Sequence, residues 1–398
     1  MTDEVSIRLT SQRDPHGHVA PGSELRAARD GGSWPTFEYR EPGVHTDIDH
    51  ASAITSYRDV RELLGSTAII NGQAAYNVAG SRAQQPGNLL FKNGAEHRRL
   101  RRILIRHFTV KRVAALRPRV EELVDGLLDT VAAQGPGTDL IENLTRPLPA
   151  LVFCELMGVP YTHHQDILGW TQTLLSLDAS FEENHAAAAA IKDFLTEIVR
   201  RVTREPGADL MSAIVAEGGD DLSEDEAVGM GTILLVAGMD TTSHSTALSI
   251  LTLLQQPDQL AIVRAAGGLA EPATDELIRY LSPVPAAQLR CAAEDITLGE
   301  NTLRAGDRVM FSLLAANWDP ELIGSAPELD LTRPRPNHVG FGYGFHQCPG
   351  QHLARLEVSV TVTKLFERFP ALAAVTDDSL DWNERGLIYG INRLPVTW

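Results

Sequence analysis

The sequence is poor in cysteine, in basic residues and in long apolar runs. Only three cysteines occur among 398 residues, Cys154, Cys291 and Cys348, which argues against a disulfide framework and favours a reducing cytoplasm. Lys and Arg total 35 against 52 Asp and Glu, so the formal net charge is −17. This balance speaks against nucleic-acid binding, because phosphates need a basic surface. No apolar run is long enough to span a membrane, and we expect no signal peptide.

Helical periodicity dominates what the sequence does contain. Ser223 and Glu226 have the spacing of a capping box, and they predict a helix that continues to Gln255, just before Pro257. At about 1.5 Å per residue this helix is about 50 Å long. Because it is apolar on most faces, it should form the buried axis of the fold. Other helices are predicted over Glu96–Phe108, Val113–Gln134, Asn143–Met157, His164–Leu177, His185–Arg204 and Ala273–Leu281.

Strand patterns occupy a smaller part of the chain. They are predicted at about 30–60, 284–311 and 380–398, and they include a hairpin between Ile296 and Gly306. No internal repeat and no abrupt change of composition divides the sequence. We therefore predict a single domain over residues 1–398, mainly α-helical with a minor β portion.

The most informative segment is Gly340–Glu357, with the sequence GFGYGFHQCPGQHLARLE. Glycines at alternate positions let a loop turn tightly and pass close to a flat or bulky group. Cys348 precedes Pro349, a residue favoured at the start of a helix, and the helix is predicted over Pro349–Arg368. A cysteine at a helix N-terminus favours the thiolate. A thiolate presented by such a loop is what axial ligation of haem iron requires.

Three other interpretations of this segment have less support. A lone cysteine is most often buried, as we expect for the other two cysteines. A dinucleotide-binding loop is disfavoured, because Gln347 stands where the third glycine belongs. A zinc site built from His346, Cys348 and His352 lacks a further Cys or His pair to complete a tetrahedral shell.

The stretch from Phe341 to Gly350, Phe-Gly-x-Gly-x-His-x-Cys-x-Gly, resembles the haem-binding signature of the cytochrome P-450 enzymes, the haem-thiolate monooxygenases. Further matches follow in the family's order from about residue 50 to the C-terminus. The resemblance implies the cytochrome P-450 fold. It also implies haem b between the long central helix and the loop and helix that carry the ligand, with the iron ligated by Cys348. Phe341 and Gly350 would contact the cofactor.

The segment Ala237–Thr242, AGMDTT, resembles the family's oxygen-activation motif and lies midway along the predicted long helix. Ala237 and Gly238 would let a flat cofactor approach, because neither residue carries side-chain bulk. Hydroxyl side chains can bond to carbonyls of the preceding turn and open a niche for water. The resemblance implies that Asp240 and Thr241 relay protons during catalysis.

Basic residues match the family's partners of the two haem propionates. His97 and Arg101 have the i, i+4 spacing that places two groups on one helix face. Arg290 and His346 match the other two positions. The resemblance also implies that Glu276 and Arg279, at i, i+3, form a buried structural ion pair rather than a catalytic one.

Nine Lys and Arg residues lie between Arg98 and Arg119 in this acidic chain. They are either a solvated helix face or a surface that docks an acidic ferredoxin. The resemblance favours an external donor, a ferredoxin with its NAD(P)H-dependent reductase. We further expect a monomer in the cytoplasm.

The segments that select the substrate are rich in side-chain amides. A long segment over Ile69–Asn93 is predicted to be a loop or lid. Because unpaired buried amides are costly, we hypothesise a substrate with hydrogen-bonding groups, such as a polyketide, an indole alkaloid or a cyclic dipeptide. The candidate pocket residues are Asn71, Gln73, Asn77, Leu234, Ala286, Gln288, Leu387 and Ile388.

The reaction itself has alternatives. The first hypothesis is hydroxylation or epoxidation of a secondary metabolite, and the second is radical coupling of aromatic units without oxygen insertion. The third is a haem-thiolate sensor without turnover, against which Asp240 and Thr241 argue. The chain departs from the family pattern at Trp318, where arginine is usual, and at Pro349 and Gln351. None of these changes removes an essential group.

Overall fold

The computed structural model describes residues 12–15, 17–39, 49–71, 85–176, 179–375, 380–383 and 388–398. The chain divides into two compact units. The first comprises residues 1–84, 90–97 and 275–348, and the second comprises residues 85–89, 98–274 and 349–398. The prediction of a single domain stays a prediction. No helix of the described residues is long and apolar enough to cross a membrane.

The first unit contains a mixed five-stranded sheet and short helices. Its strands are β1 (Thr36–Tyr39), β2 (Asp49–Ile54), β3 (Ile69–Ile70), β4 (Arg290–Ala292), β5 (Ile296–Leu298), β6 (Asn301–Leu303) and β7 (Arg308–Phe311). The sheet order is β1-β2-β7-β4-β3, with β2 and β7 parallel, while β5 and β6 form the predicted hairpin. Its helices are α1 (Ser23–Asp30), α2 (Tyr57–Gly65), α12 (Leu313–Asn317) and α13 (Pro320–Ile323).

The core of the first unit lies between this sheet and α2. Ile54, Val60 and Phe311 are fully buried there. Ser56 caps α2, because its side chain accepts a hydrogen bond from the Asp59 backbone N–H. The burial of apolar side chains thus fixes α2 against the strands, and α2 in turn reaches the loop that carries Cys348.

The second unit is mostly helical. Its helices are α4 (Val110–Gln134), α5 (Pro147–Met157), α6 (His164–Leu175), α7 (Phe181–Arg204), α8 (Leu210–Gly218), α9 (Glu224–Gln255), α10 (Pro257–Ala265) and α14 (Gln351–Arg368). Two further helices, α3 (Gly94–Ile105) and α11 (Glu271–Leu281), contribute residues to both units. Two short antiparallel pairs complete the fold, β8 (Ala373–Ala374) with β11 (Val396–Thr397) and β9 (Trp382–Asn383) with β10 (Gly390–Ile391).

Helix α9 is the long buried helix predicted from the sequence. It has 32 residues, and Ser223 and Glu226 form both hydrogen bonds of the predicted capping box. Nearly every residue of the stretches 227–231 and 242–253 is buried, so these parts of the helix are enclosed on all faces. Gly229 is required by close packing, because a Cβ there would lie 1.8 Å from the Pro86 carbonyl oxygen. The mainly helical prediction is therefore confirmed, and α9 forms the axis of the second unit.

Several element boundaries differ from the prediction for local reasons. The helix predicted over Asn143–Met157 is a π-helix over Ile141–Thr145 followed by α5, whose first residue is Pro147. The last long helix begins at Gln351, with Pro349 and Gly350 in a turn before it. Helix α1 was not predicted, because a single side chain, Leu25, is buried in it.

Candidate active site

Cys348 lies in a loop that folds back on itself within the first unit. Its backbone N–H donates to the Phe341 carbonyl at 2.9 Å, and the Gly342 N–H donates to the Val339 carbonyl at 2.8 Å. Gly342 and Gly344 have φ of +70° and +69°, which favours glycine at both positions. The alternating glycines therefore form the tight turn that was predicted, and the turn brings Cys348 back beside Phe341.

Helix α2 holds the middle of this loop. A Cβ on Gly344 would lie 2.4 Å from the Leu64 carbonyl oxygen, so the loop touches the end of α2 without any side chain between them. The Arg61 guanidinium lies 4.5 Å from the centre of the Tyr343 ring and donates to the Tyr57 and Tyr343 hydroxyls at 2.9 and 3.1 Å. Stacking and hydrogen bonding together fix Tyr343, and hence the backbone around it.

The three cysteines differ in accessibility. Cys154 is fully buried, and burial raises the pKa of its thiol to about 12. Cys291 is 2% exposed, and its thiol pKa is raised by burial and by the nearby Asp307. Cys348 is half-buried. A thiol in an apolar interior resists ionisation, so Cys348 is the cysteine best suited to bind a metal.

Three of the four side chains predicted to bind the propionates, those of His97, Arg290 and His346, belong to the first unit. The imidazole rings of His97 and His346 lie 4.1 Å apart between centroids, although 248 residues separate them. His97 is 3% exposed and Arg290 is 6% exposed. The guanidinium carbon of Arg290 lies 6.0 Å from the centre of the Phe311 ring. Arg101 is half-buried on α3 and belongs to the second unit.

The midpoint of helix α9 borders an open space. Ala237 is exposed although most residues of the stretches 227–231 and 242–253 on either side are buried, and a Cβ built on Gly238 would meet no atom within 4 Å. The Thr241 hydroxyl donates to the Ala237 carbonyl at 2.7 Å. We predicted that such side-chain hydrogen bonds open a niche for water in the helix, but the backbone of α9 is continuous here. The hydroxyl supplements the backbone ladder rather than replacing it.

Two buried titratable groups follow one another on α9. Burial raises the pKa of Asp240, an effect that Arg146 partly opposes. His244, four residues later, has its pKa lowered to about 4 by burial and by Arg146. A carboxyl whose proton affinity is raised can exchange protons closer to neutral pH, which fits the relay role predicted for Asp240.

These residues fit a haem. The half-buried thiol of Cys348 offers a soft ligand for iron. The imidazole pair of His97 and His346 and the buried guanidinium of Arg290 are groups that suit carboxylates such as propionates. The open space over Gly238 suits a flat group, which a larger side chain at position 238 would exclude. Among the described residues, no three His, Cys, Asp or Glu side chains come together as a metal site, so the zinc alternative has no support there.

The Glu276–Arg279 pair is fully buried. Two hydrogen bonds of 2.7 Å join the guanidinium to the carboxylate, and both side chains are 0% exposed. Glu276 Oε1 also accepts from the Arg333 Nε at 3.2 Å, and Arg279 donates to the Asn317 carbonyl at 2.9 Å. A buried charge pair requires such additional partners, and these contacts fit the structural role predicted for the pair.

Two groups near the Cys348 loop were not predicted from the sequence. One is the clamp of Arg61 on Tyr343. The other is His338, which lies between the buried Asp275 and the Gly340 amide. The sequence shows the second only as a histidine three residues before Phe341, which by itself does not distinguish it from a surface histidine.

The candidate substrate residues are only partly described. Gln73, Asn77 and Leu387 lie outside the described residues. The Asn71 side chain donates to the Leu90 carbonyl at 2.6 Å, so its NH₂ group serves the protein backbone. Leu234, Ala286, Gln288 and Ile388 are all half-buried. The Asn71 Oδ1 is buried without a hydrogen-bond partner among the described residues, so the amide oxygen of Asn71 is the part of this side chain that a substrate could still bind.

Comparison with known proteins identifies the family. The family model "Cytochrome P-450" matches residues 269–393. Pentalenic acid synthase of Streptomyces avermitilis is 40% identical over 78% of this chain and 77% of its own. Nocardicin C N-oxygenase of Nocardia uniformis is 38% identical over 87% of this chain and 89% of its own.

Solved structures agree with the sequence relatives. The LnmA hydroxylase from the leinamycin biosynthetic pathway of Streptomyces atroolivaceus has a TM-score of 0.87 and 32% identity, covering 97% of this chain and 98% of its own. MoxA from Nonomuraea recticatena has a TM-score of 0.85 and 34% identity, covering 95% and 96%. The chain therefore belongs to the cytochrome P-450 family, monooxygenases whose haem iron is ligated by a cysteine.

Proposed function

We propose that Cys348 is the axial ligand of haem b in this enzyme. The observation that carries the proposal is the contrast among the three sulfurs, since only Cys348 is not fully buried and only Cys348 lies in a turn closed by its own backbone hydrogen bond to Phe341. When bound, the haem-thiolate group activates dioxygen with supplied electrons and protons and oxidises an organic substrate. Phe341 and Gly350 flank the ligand in the sequence and would contact the cofactor.

The propionates would be held by His97, Arg101, Arg290 and His346. The described distances support a common anion site for His97 and His346, whose rings touch. Burial strengthens an ion pair with a carboxylate, because water no longer competes for either partner. Arg290 is buried beside the Phe311 ring, which restricts its guanidinium.

Asp240 and Thr241 would relay protons to the reaction, Thr241 by holding a water molecule and Asp240 by exchanging protons. The Thr241 hydroxyl donates a hydrogen bond to the Ala237 carbonyl. The lone pairs of the hydroxyl oxygen are therefore available to accept a hydrogen bond from water in the open space beside Gly238. Asp240, with its pKa raised by burial, would take protons from solvent and pass them on. This assignment favours turnover over the sensor alternative.

The first test replaces the ligand. We expect Cys348→Ala to abolish the absorption band that marks thiolate ligation in the reduced carbon monoxide complex, because no other sulfur in the chain can replace it. Cys154→Ala is the control, since that thiol is buried and its pKa is raised. Retention of the thiolate band by Cys348→Ala would refute the assignment.

We further propose that an acidic ferredoxin docks on a basic surface of α3 and α4. Arg98, Arg102 and Lys111 are exposed there, and none has a carboxylate partner among the described residues. Ile105 and Val110 lie among them and are 41% and 63% exposed. A patch with apolar side chains inside a rim of cations fits an acidic protein partner better than a merely solvated helix face.

Charge reversal tests this surface. We expect Arg102→Glu combined with Lys111→Glu to slow reduction by an acidic ferredoxin at least tenfold, because close opposite-charge pairs set the encounter rate. Stopped-flow reduction of the holoprotein measures this rate. Lys192→Glu, an exposed change on α7, provides the control, and equal slowing by the control would contradict the proposal.

The substrate would be a secondary metabolite. Relatives are named for pentalenic acid, nocardicin C and the leinamycin pathway, which are chemically diverse. We infer hydroxylation or epoxidation as the reaction. Product mass distinguishes it from radical coupling, because insertion adds oxygen whereas coupling removes hydrogen. The cytoplasmic location and the monomeric state stay predictions.

A further inference from the structure

A buried chain of hydrogen bonds leads from α11 to the loop that carries Cys348. Asp275 is 0% exposed and lies 2.5 Å from the Arg335 Nε through its Oδ2. Its Oδ1 lies 3.1 Å from the Nε2 of His338, whose side chain is 3% exposed. On the other side of the ring, the Gly340 backbone N–H donates to His338 Nδ1 at 3.0 Å.

These contacts fix the protonation of the His338 ring. A backbone N–H can only donate, so His338 Nδ1 must carry a lone pair. Nε2 then carries the proton and donates it to the Asp275 carboxylate. A carboxylate that orients a histidine in this way is the arrangement that positions metal-ligating imidazoles in other proteins. Here the oriented imidazole bonds to a backbone amide of the ligand loop instead.

The Gly340 amide is coupled to the Cys348 backbone over a short path. A Cβ on Gly340 would lie 2.9 Å from His338 Nδ1 and 3.0 Å from the Ile278 side chain, so glycine is needed for this approach. The His338 ring lies 5.7 Å from the Phe341 ring. The next link is the Phe341 carbonyl, which accepts the Cys348 N–H at 2.9 Å.

We propose that His338 is a positioning residue for Cys348. By accepting the Gly340 amide and packing on Phe341, it sets the orientation of the peptide groups whose carbonyl holds the Cys348 N–H. The inference rests on the proposed ligation of haem by Cys348. It predicts that the Gly340 bond, rather than the presence of any polar group at position 338, maintains the thiolate geometry.

Three substitutions separate the two hydrogen bonds of the ring. His338→Asn places an amide oxygen near the position of Nδ1, so it can still accept the Gly340 N–H. His338→Gln places its amide nitrogen near the position of Nε2, so it can still donate to Asp275. His338→Phe keeps the ring against Phe341 and removes both bonds.

The readouts are the decay of the thiolate band in the reduced carbon monoxide complex and the midpoint potential of the haem. We expect His338→Phe and His338→Gln to lose the band about tenfold faster than the unmodified chain, as for loss of about 1.4 kcal/mol from a buried hydrogen bond. Their potentials should shift to more positive values, since the thiolate is held less firmly. His338→Asn should restore both readouts.

Equal behaviour of His338→Asn and His338→Gln would overturn the inference, as would an unchanged decay rate in His338→Phe. If His338→Phe does not retain haem, the two amide variants still decide the outcome. Cys348→Ala is measured in parallel. A thiolate band in that variant would refute the ligand assignment itself, whereas its loss together with unaffected His338 variants would refute only the positioning role.

Discussion

At the scale of single residues, Trp318 shows how the chain replaces a common family residue. Its indole N–H donates to the Tyr280 carbonyl at 3.0 Å, and its ring lies 5.0 Å from the Tyr280 ring. The Arg279 guanidinium carbon lies 5.9 Å from both ring centres. Two neighbouring aromatic rings therefore lie on one side of the buried cation, an arrangement that stabilises it without adding a further charge.

Glu357 is a buried carboxyl without such support. It is 3% exposed, and its Oε2 has no hydrogen-bond partner among the described residues. Burial raises its pKa from 4.5 to about 8. Between about pH 4.5 and pH 8 the unfolded chain releases the Glu357 proton, whereas the folded chain retains it. The free energy of unfolding is therefore highest below about pH 4.5 and falls as the pH rises towards 8.

We therefore expect Glu357→Gln to stabilise the protein increasingly with pH. The gain over the unmodified chain should be near zero at pH 4.5 and reach about 4 kcal/mol at pH 8. Thermal unfolding of the holoprotein across this range measures it. Glu367→Gln, an exposed change on the same helix α14, is the control. A gain that does not depend on pH would contradict the prediction.

At the scale of elements, the contact between α2 and the Cys348 loop gives a matched pair of glycines. Gly342 and Gly344 have nearly the same positive φ, yet a Cβ on Gly344 would lie 2.4 Å from the Leu64 carbonyl oxygen, whereas one on Gly342 would meet only the Gln347 Cα at 4.0 Å. Alanine at either position costs about 1 kcal/mol of backbone strain. Only Gly344→Ala adds overlap with the backbone of α2.

We expect Gly344→Ala to destabilise the protein by about 2 kcal/mol more than Gly342→Ala does, and to lower haem retention during purification. The ratio of haem absorbance to protein absorbance and the midpoint of thermal unfolding measure these effects. Equal losses in the two variants would show that α2 does not constrain the loop.

Elements with strong local signals could be predicted from the sequence. Ser223 and Glu226 specify the start of α9 by a local hydrogen-bond pattern, and the observed helix begins at Glu224 and ends at Gln255 as expected. The division between the π-helix and α5 could not be predicted, because apolar periodicity continues through it. The helix that follows was not predicted, although Pro257 is the first residue of α10, a position that proline favours.

At the scale of the whole molecule, the net charge of −17 opposes the approach of an acidic partner, whereas the basic surface on α3 and α4 attracts it. Salt weakens both effects, with a Debye length of about 8 Å at physiological ionic strength. The basic side chains lie nearest to a docked partner, so their attraction should outweigh the repulsion from the more distant acidic residues. We therefore expect reduction by ferredoxin to slow as ionic strength rises.

The charge-reversed variant at Arg102 and Lys111 should respond in the opposite direction. Without the attractive surface only repulsion remains, so added salt should accelerate its reduction. Rates measured from about 0.01 to 0.5 M salt distinguish the two slopes. A rate that falls with salt in both proteins would place the docking surface elsewhere.

Long-range arrangement was the least predictable part of the site. The contact between His97 and His346 follows from no local pattern, and only the family resemblance suggested that both residues serve one group. The pairing of Asp275 with His338 had no sequence signal that distinguishes it from an ordinary surface histidine. Such pairs depend on how the chain folds over tens or hundreds of residues, which spacing within one element does not encode.

The unequal burial of the three cysteines makes this chain a convenient object for thiol labelling. A maleimide applied to the folded apoprotein should modify a single position, because the interior shields the sulfurs of Cys154 and Cys291 and keeps them protonated. Iron at Cys348 would protect the one thiol that the reagent can reach. The fraction of chains that mass spectrometry finds unlabelled would then give the fraction that holds the cofactor.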